Sequence, residues 1–163
     1  MGATPLATTE RFFAPEISKV YYALTLADYT APVRPELDAA TDFTDEMASV
    51  TGWSVDGRML DTPDWGRRFV SQISGRTSAG ESSITFYADK AGVDVRAVLA
   101  RGDVGNVIFC DGGDVTGYLA DVFKTEVTSV GKVRTGTDGA LVITVKFAIT
   151  KAPAENVVLP ATA

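Results

Sequence analysis

The longest strict alternation in the chain lies at residues 141–150. Leu141, Ile143, Val145, Phe147 and Ile149 share one face, and Val142, Thr144, Lys146, Ala148 and Thr150 share the other. A period of two sustained this far, in a run rich in β-branched residues, predicts a half-buried antiparallel strand. A helix would scatter the five apolar side chains around its whole circumference. The preceding Thr135, Gly136, Thr137, Asp138 and Gly139 contain the Asp-Gly pair that supplies the positive φ angles of a tight hairpin. Residues 121–134 are the expected partner strand.

The same pattern divides the rest of the chain. At 17–26, Val20, Tyr22, Leu24 and Leu26 alternate with Lys19, Tyr21, Ala23 and Thr25, which predicts a first strand. Pro32 and Pro35 break it. Residues 31–49 then form an acidic connection longer than a compact domain needs between strands, the length at which a loop is usually functional or mobile. A second strand is expected over 50–58, with Thr51, Trp53 and Val55 on one face. A hairpin follows, with arms 67–75 and 81–89 and a small polar tip at Arg76, Thr77, Ser78, Ala79 and Gly80. At 90–100, Ala91, Val95, Val98 and Leu99 make a helical stripe, with Asp89 placed to cap it and Gly102 to close it. A strand is expected over 104–110 and a turn at Asp111, Gly112, Gly113 and Asp114. The tail at 152–160 is apolar enough to dock and too rich in proline for a helix. About seven strands and one helix make the expected fold mainly β: a two-sheet β-sandwich or squashed barrel with one flanking α-helix. The expected organisation is a single domain over 1–163, with an N-terminal arm at 1–15, a long loop at 31–49 and a C-terminal tail at 152–163.

Composition narrows the chemistry. The 163 residues are 45% apolar and 22% charged, an ordinary globular balance, with no apolar run of the length a membrane span requires. The start shows no basic segment followed by an apolar core, so no secretory signal is expected. There is no histidine, which removes the commonest general base, the usual Ser or Cys triads and the commonest zinc ligand. The one cysteine, Cys110, sits in the apolar run Val107, Ile108, Phe109 and is expected to be a buried, inert thiol. Neither a metal nor an organic cofactor is expected. The acidic residues of 31–49 lack the spacing, central Gly and terminal Glu of an EF-hand loop. The segment at 111–114 lacks the helix and lysine of a phosphate-binding loop. A net charge of −6 argues against a protein that grips the nucleic acid backbone, and leaves open one that DNA touches without sticking.

The order of elements carries a resemblance. After the arm and long loop come Trp53, Ser54, Val55, Asp56 and Gly57, then Trp65, Gly66, Arg67 and Arg68. The polar-tipped hairpin and a helix ending in Val98 and Leu99 follow. The chain closes on residues 122–130 and 141–147. Over roughly residues 12–153 this resembles the major tail tube proteins of long-tailed, non-contractile bacteriophages. The resemblance implies hexameric rings whose inner sheets join into one barrel, stacked into a tube through which viral DNA is ejected. It also implies a place in the virion tail after assembly in the host cytoplasm. The implied partners are further copies of the chain, the tail tip or baseplate, tape measure and terminator proteins, and DNA passing through the lumen, with no membrane. The loop and arms would reach neighbouring subunits. The candidate contacts there are Arg11, Phe12 and Phe13 in the arm, and Arg34, Glu36, Asp38, Asp42, Phe43, Asp45 and Glu46 in the loop. The tail contributes Val157, Val158 and Leu159. From the residues alone, Phe12 and Phe13 could equally fold back on their own core.

Three other readings stand beside this one. The tube subunit of a contractile-tail or secretion machine would share the fold. A monomeric β-sandwich binding module could use Trp53, Trp65, Tyr21, Tyr22 and Tyr87 as an aromatic platform. An enzyme could use the carboxylate pairs Asp56 with Asp61 or Asp111 with Asp114, although both lie where Asp is favoured for turn hydrogen bonds.

Overall fold

A computed structural model describes residues 2–134 and 139–162. Two short helices, α1 (Ala14–Ile17) and α2 (Arg34–Asp38), accompany ten strands among these residues. The strands are β1 (Lys19–Ala23), β2 (Thr41–Asp42), β3 (Met47–Thr51), β4 (Val55–Thr62), β5 (Ser71–Ala79), β6 (Ser82–Tyr87), β7 (Val104–Cys110), β8 (Leu119–Val133), β9 (Val142–Ile149) and β10 (Ala154–Val158). The fold is mainly β in two sheets. Eight strands form one, in the order β2-β1-β7-β8-β9-β6-β3 with β10 beside β8, and β4 and β5 form the other. All pairings are antiparallel.

The large sheet is curled, and aromatic contacts show how far. β1 and β6 are four positions apart in strand order, roughly 19 Å on a flat sheet at ~4.8 Å per strand. Yet Phe43 stacks on Tyr22 of β1 at 5.6 Å and meets Phe86 of β6 edge-on at 5.0 Å. The sheet therefore folds over on itself around a core of Val20, Tyr22, Phe43, Ile84, Phe86, Val107, Val127, Ile143, Val145 and Phe147, all buried. Strict alternation in β6 and β9 sends these side chains inward. β7 is buried on both faces. Its Ile108 and Cys110 face a second cluster with Ala23, Leu37 of α2, Ala120, Val122, Val157 and Leu159. Helix α2 and the tail thus cover the convex face over β1, β7 and the first half of β8.

Trp53 holds the point where the chain leaves the large sheet. Gly52 and Trp53 have φ of 85° and 67°, and a β-carbon on Gly52 would lie 2.9 Å from Ser82 Cα. A bulky residue with positive φ is strained by about 1–3 kcal/mol and must be held by its surroundings. Here the indole lies 5.0–5.3 Å from the rings of Phe109, Phe123 and Phe147. Its Nε1 donates to the Ser83 carbonyl at 3.2 Å, and its backbone N–H donates to Ser82 Oγ at 3.1 Å.

A second latch fixes α2. The Arg34 guanidinium donates two parallel hydrogen bonds of 2.7 Å to Asp114 and one of 2.7 Å to Asp38, while Tyr21 Oη donates to Asp114 at 3.1 Å. The side chains of Arg34 and Asp114 are each only 15% exposed. Arg34 holds the Asp114 carboxyl below the usual carboxylate range, burial opposes it, and the Tyr21 hydroxyl adds to the lowering. Glu36 caps the same helix by accepting from the N–H groups of Ala27 at 2.8 Å and Val33 at 3.1 Å.

Several expectations change. The late hairpin is present, with Val133 opposite Val142 and Thr125 opposite Ile149. The turn expected at 135–139 lies, apart from Gly139, outside the described residues. The helix expected over 90–100 is instead a loop with one 3₁₀ turn at Val95–Ala97. Gly92 has a φ of 88°, and the extended Asp94 caps the turn from within, so the helical stripe is cut in two. Only Val95 and Leu99 of that stripe are buried. The strand expected over 50–58 is divided at Gly52 and Trp53 into β3 and β4. The expected hairpin of 67–75 with 81–89 does not form. β5 pairs with β4, from Val55 opposite Ala79 to Thr62 opposite Ser71, while β6 lies between β3 and β9. β5 is mostly polar and cannot share the core that Ile84 and Phe86 of β6 enter. Residues 31–49 fold as α2, β2, a 3₁₀ turn and most of β3, and the tail adds β10 to the edge of β8.

Three substitutions test this arrangement. The Tyr22 hydroxyl is buried without a partner, and a β-carbon at Gly105 would sit 2.7 Å from Tyr22 Cε2. Tyr22→Phe should therefore raise stability by about 1 kcal/mol, and Gly105→Ala should lower it by about 1–3 kcal/mol, both read by urea unfolding. Asp114→Asn should lower stability at neutral pH by about 1–3 kcal/mol. Because the folded carboxyl is depressed, its stabilisation is present above the unfolded value of about 3.9. It is lost as pH falls through the folded value, so the gap between Asp114→Asn and the wild type should close there.

Candidate assembly surfaces

The expected contact residues fall into two groups. Residues 2–13 carry no helix or strand and are exposed, with Arg11 in solvent and Phe12 and Phe13 51% and 64% exposed. The two rings do not fold back onto the core. Asp42, Asp45, Glu46 and Val158 also face solvent, although Asp42 accepts from Thr44 and lies 3.9 Å from Lys19. The others are engaged inside the subunit. Phe43 bridges β1 and β6 in the core, Val157 and Leu159 close the second cluster, Arg34 and Asp38 form the latch, and Glu36 caps α2.

Two surfaces were not visible in the sequence. The first is formed by two of the strand edges that the large sheet leaves open among the described residues. β3 bonds only to β6. β8 is far longer than β7, whose pairing ends at Val104 opposite Glu126 and is extended only by Gly102 and Asp103 bonding Val127. Residues 128–133 therefore bond to β9 alone. A cleft of about 390 Å³ lined by Ala14, Pro15, Ser18, Met47, Ser49 and Phe109, among others, opens beside β3 where the arm leaves. The second surface is the hairpin of β4 and β5. Met59, Leu60, Trp65, Phe69, Val70 and Ile73 are all exposed on it, with Trp65 wholly in solvent. Pairing partners do not show in a single sequence. The one available signal was the mismatch in length between the run at 119–133 and that at 104–110.

Burial, with Asp114 and Asp111 nearby, pushes the Cys110 thiol up to about 12. Asp114 is held by Arg34 and Tyr21, and Asp61 accepts from Gln72 Nε2 at 2.7 Å. Burial and the neighbouring Asp121 push the Asp111 carboxyl up. Among the described residues, no group of three or more Cys, Asp or Glu side chains is placed to hold a metal ion, and no helix is long and apolar enough to cross a membrane.

Among solved structures, the chain is similar to a protein of the anti-feeding prophage baseplate. The TM-score is 0.54 at 11% identity, over 92% of this chain and 95% of the other, a likeness of fold. It also aligns with the Dit protein of phage SPP1, a hub of the adsorption apparatus in phages that infect Gram-positive bacteria. There the TM-score is 0.42 at 15% identity, over 82% of this chain and 50% of that one. No curated protein sequence matches the chain. The family of phage tail tube proteins matches residues 6–162, nearly its whole length. The chain, with its curled sheet, open edges and protruding arm and hairpin, belongs to the phage tail tube protein family and is a structural subunit of the virion tail.

Proposed function

We propose that this chain is the repeating subunit of the tail tube, acting by assembly and not by catalysis. β3 of one copy pairs with residues 128–133 of the next, and the copies close into rings of six, the number the resemblance implies. The rings stack into a tube through which DNA is ejected. The observation that carries this reading is the direction of the two open edges. β3, β6, β9 and β8 follow one another through three antiparallel pairings, so β3 and β8 run in opposite senses. Laid edge to edge in successive copies they continue one antiparallel sheet, and neither edge remains exposed to chance association.

The arm and the hairpin supply the contacts between rings. Both carry large apolar side chains in solvent, which a lone soluble chain seldom displays in such number. Of the expected contact residues, Arg11, Phe12, Phe13, Asp42, Asp45, Glu46 and Val158 remain available for this role. The chain acts as one unit over 1–163. It is assembled in the host cytoplasm and meets the tape measure, terminator and tail-tip proteins at the ends of the tube. The tube of a contractile or secretion machine would use the same edges, and a contractile sheath encoded alongside would mark it.

The edges can be tested without disturbing the core. Ser49 and Gly131 lie on one face of the sheet, and a β-carbon at Gly131 meets open space. Ser49→Lys combined with Gly131→Lys should abolish rings in negative-stain micrographs while leaving circular dichroism unchanged, because both edges of the joint then carry positive charge on one face. Ser49→Lys with Gly131→Glu should restore them. Equal ring yield from both double variants would exclude this joint. Deleting residues 2–13 should leave rings that no longer stack, and normal tubes from the deletion would remove the arm from the account.

A further inference from the structure

The convex face of the large sheet is covered over only half its width. Helix α2 and the tail seal it across β1, β7 and the start of β8, but across β3, β6, β9 and the end of β8 nothing lies on it among the described residues. The register fixes what this bare half presents. One row runs Ser49, Thr85, Thr144, Gly131; the next runs Thr51, Ser83, Lys146, Ser129. Thr85 and Thr144 bring their hydroxyls to 3.3 Å. Lys146 forms an ion pair with Glu81, and toward β7 the same face carries Lys124 and Glu126. Two lysines and two glutamates cancel, so the rest is hydroxyl, glycine and a rim of Tyr87, Val142 and Val133.

This argument rests on the edge-joined ring proposed above. If β3 and residues 128–133 are the joints, one face of these four strands turns toward the ring axis. The other face carries β1, β7, α2 and the core, a bulk that several copies cannot all place inside. The bare face must then turn inward. We propose that the wall of the duct is this hydroxyl surface without net charge, and that the chain's −6 resides on the outside and on the joints. A polyanion inside would find neither a run of lysines to displace its counterions nor a field of carboxylates to push against it. Passage would depend on a weakly interacting surface instead of on repulsion.

Thiol labelling and retention of duplex DNA test the two halves of this claim. Cys110 is buried, so an introduced thiol is read against a low background. Thr144→Cys and the exposed α2-cap variant Ala39→Cys should both react, before assembly, with a small maleimide and with one carried on particles wider than the tube. After assembly Ala39→Cys should still react with both, and Thr144→Cys with the small reagent alone. Equal reaction of Thr144→Cys with the particles in intact tubes overturns the inward face while leaving the ring standing. Absence of any tube overturns the ring, and this inference with it. Wild-type tubes should retain no fluorescent duplex oligonucleotide at low salt, whereas Thr85→Arg tubes should retain it and release it as salt rises. Salt-sensitive retention by the wild type overturns the uncharged wall.

Discussion

β8 is hydrogen-bonded to β7 along one edge and to β9 and β10 along the other, and the rest of the large sheet extends from that arrangement. Its first half belongs to the layer of β1 and β7, and its second half to the layer of β9, β6 and β3. A register shift between Val127 and Ser129 lies where the strand passes from one to the other. Such irregularities bend a strand and increase its twist, so one continuous ladder serves both sides of the core. The cost of that economy is a strand longer than its neighbour, with backbone donors and acceptors on that edge left unpaired beyond Val127. A free edge of this kind is an aggregation hazard in a monomer and a joint in a polymer.

What the sequence revealed follows from which interactions are local. The alternation of 141–150 and its partner at 121–134 was legible because each side chain's face is set by the pleat alone. The buried state of Cys110 followed from its apolar neighbours. The expected helix at 90–100 failed for an equally local reason: a glycine in a left-handed conformation and an aspartate bonding its own backbone outweigh four apolar residues at helical spacing. The pairing of β5 was beyond reach for a different reason. Glu81 follows β5 closely enough to suggest a hairpin, but the choice between β4 and β6 depends on which strands already fill the core. Residues 2–13 carry no helix or strand and lie exposed, whereas the long loop of 31–49 is largely part of the body.

Charge and surface tell separate stories in this chain. Three acidic residues serve local geometry: Glu36 at a helix start, Asp114 under a guanidinium, Asp94 beneath a 3₁₀ turn. Net charge is a property of the whole molecule, while a passing polymer senses only the surface turned toward it. The apolar side chains are divided in a similar way. Those on alternating positions of β6 and β9 build the subunit, and those on the hairpin of β4 and β5 contribute little to it.

The two tryptophans sit at opposite ends of that division. Trp53 is enclosed by three phenylalanine rings, and Trp65 stands in open water at the outer reach of the hairpin. The protein consequently carries two intrinsic fluorophores with different allegiances. The emission of one is tied to whether the chain is folded. The colour and quenching of the other depend on what touches the hairpin from outside, so the two can be followed in one cuvette without any attached dye.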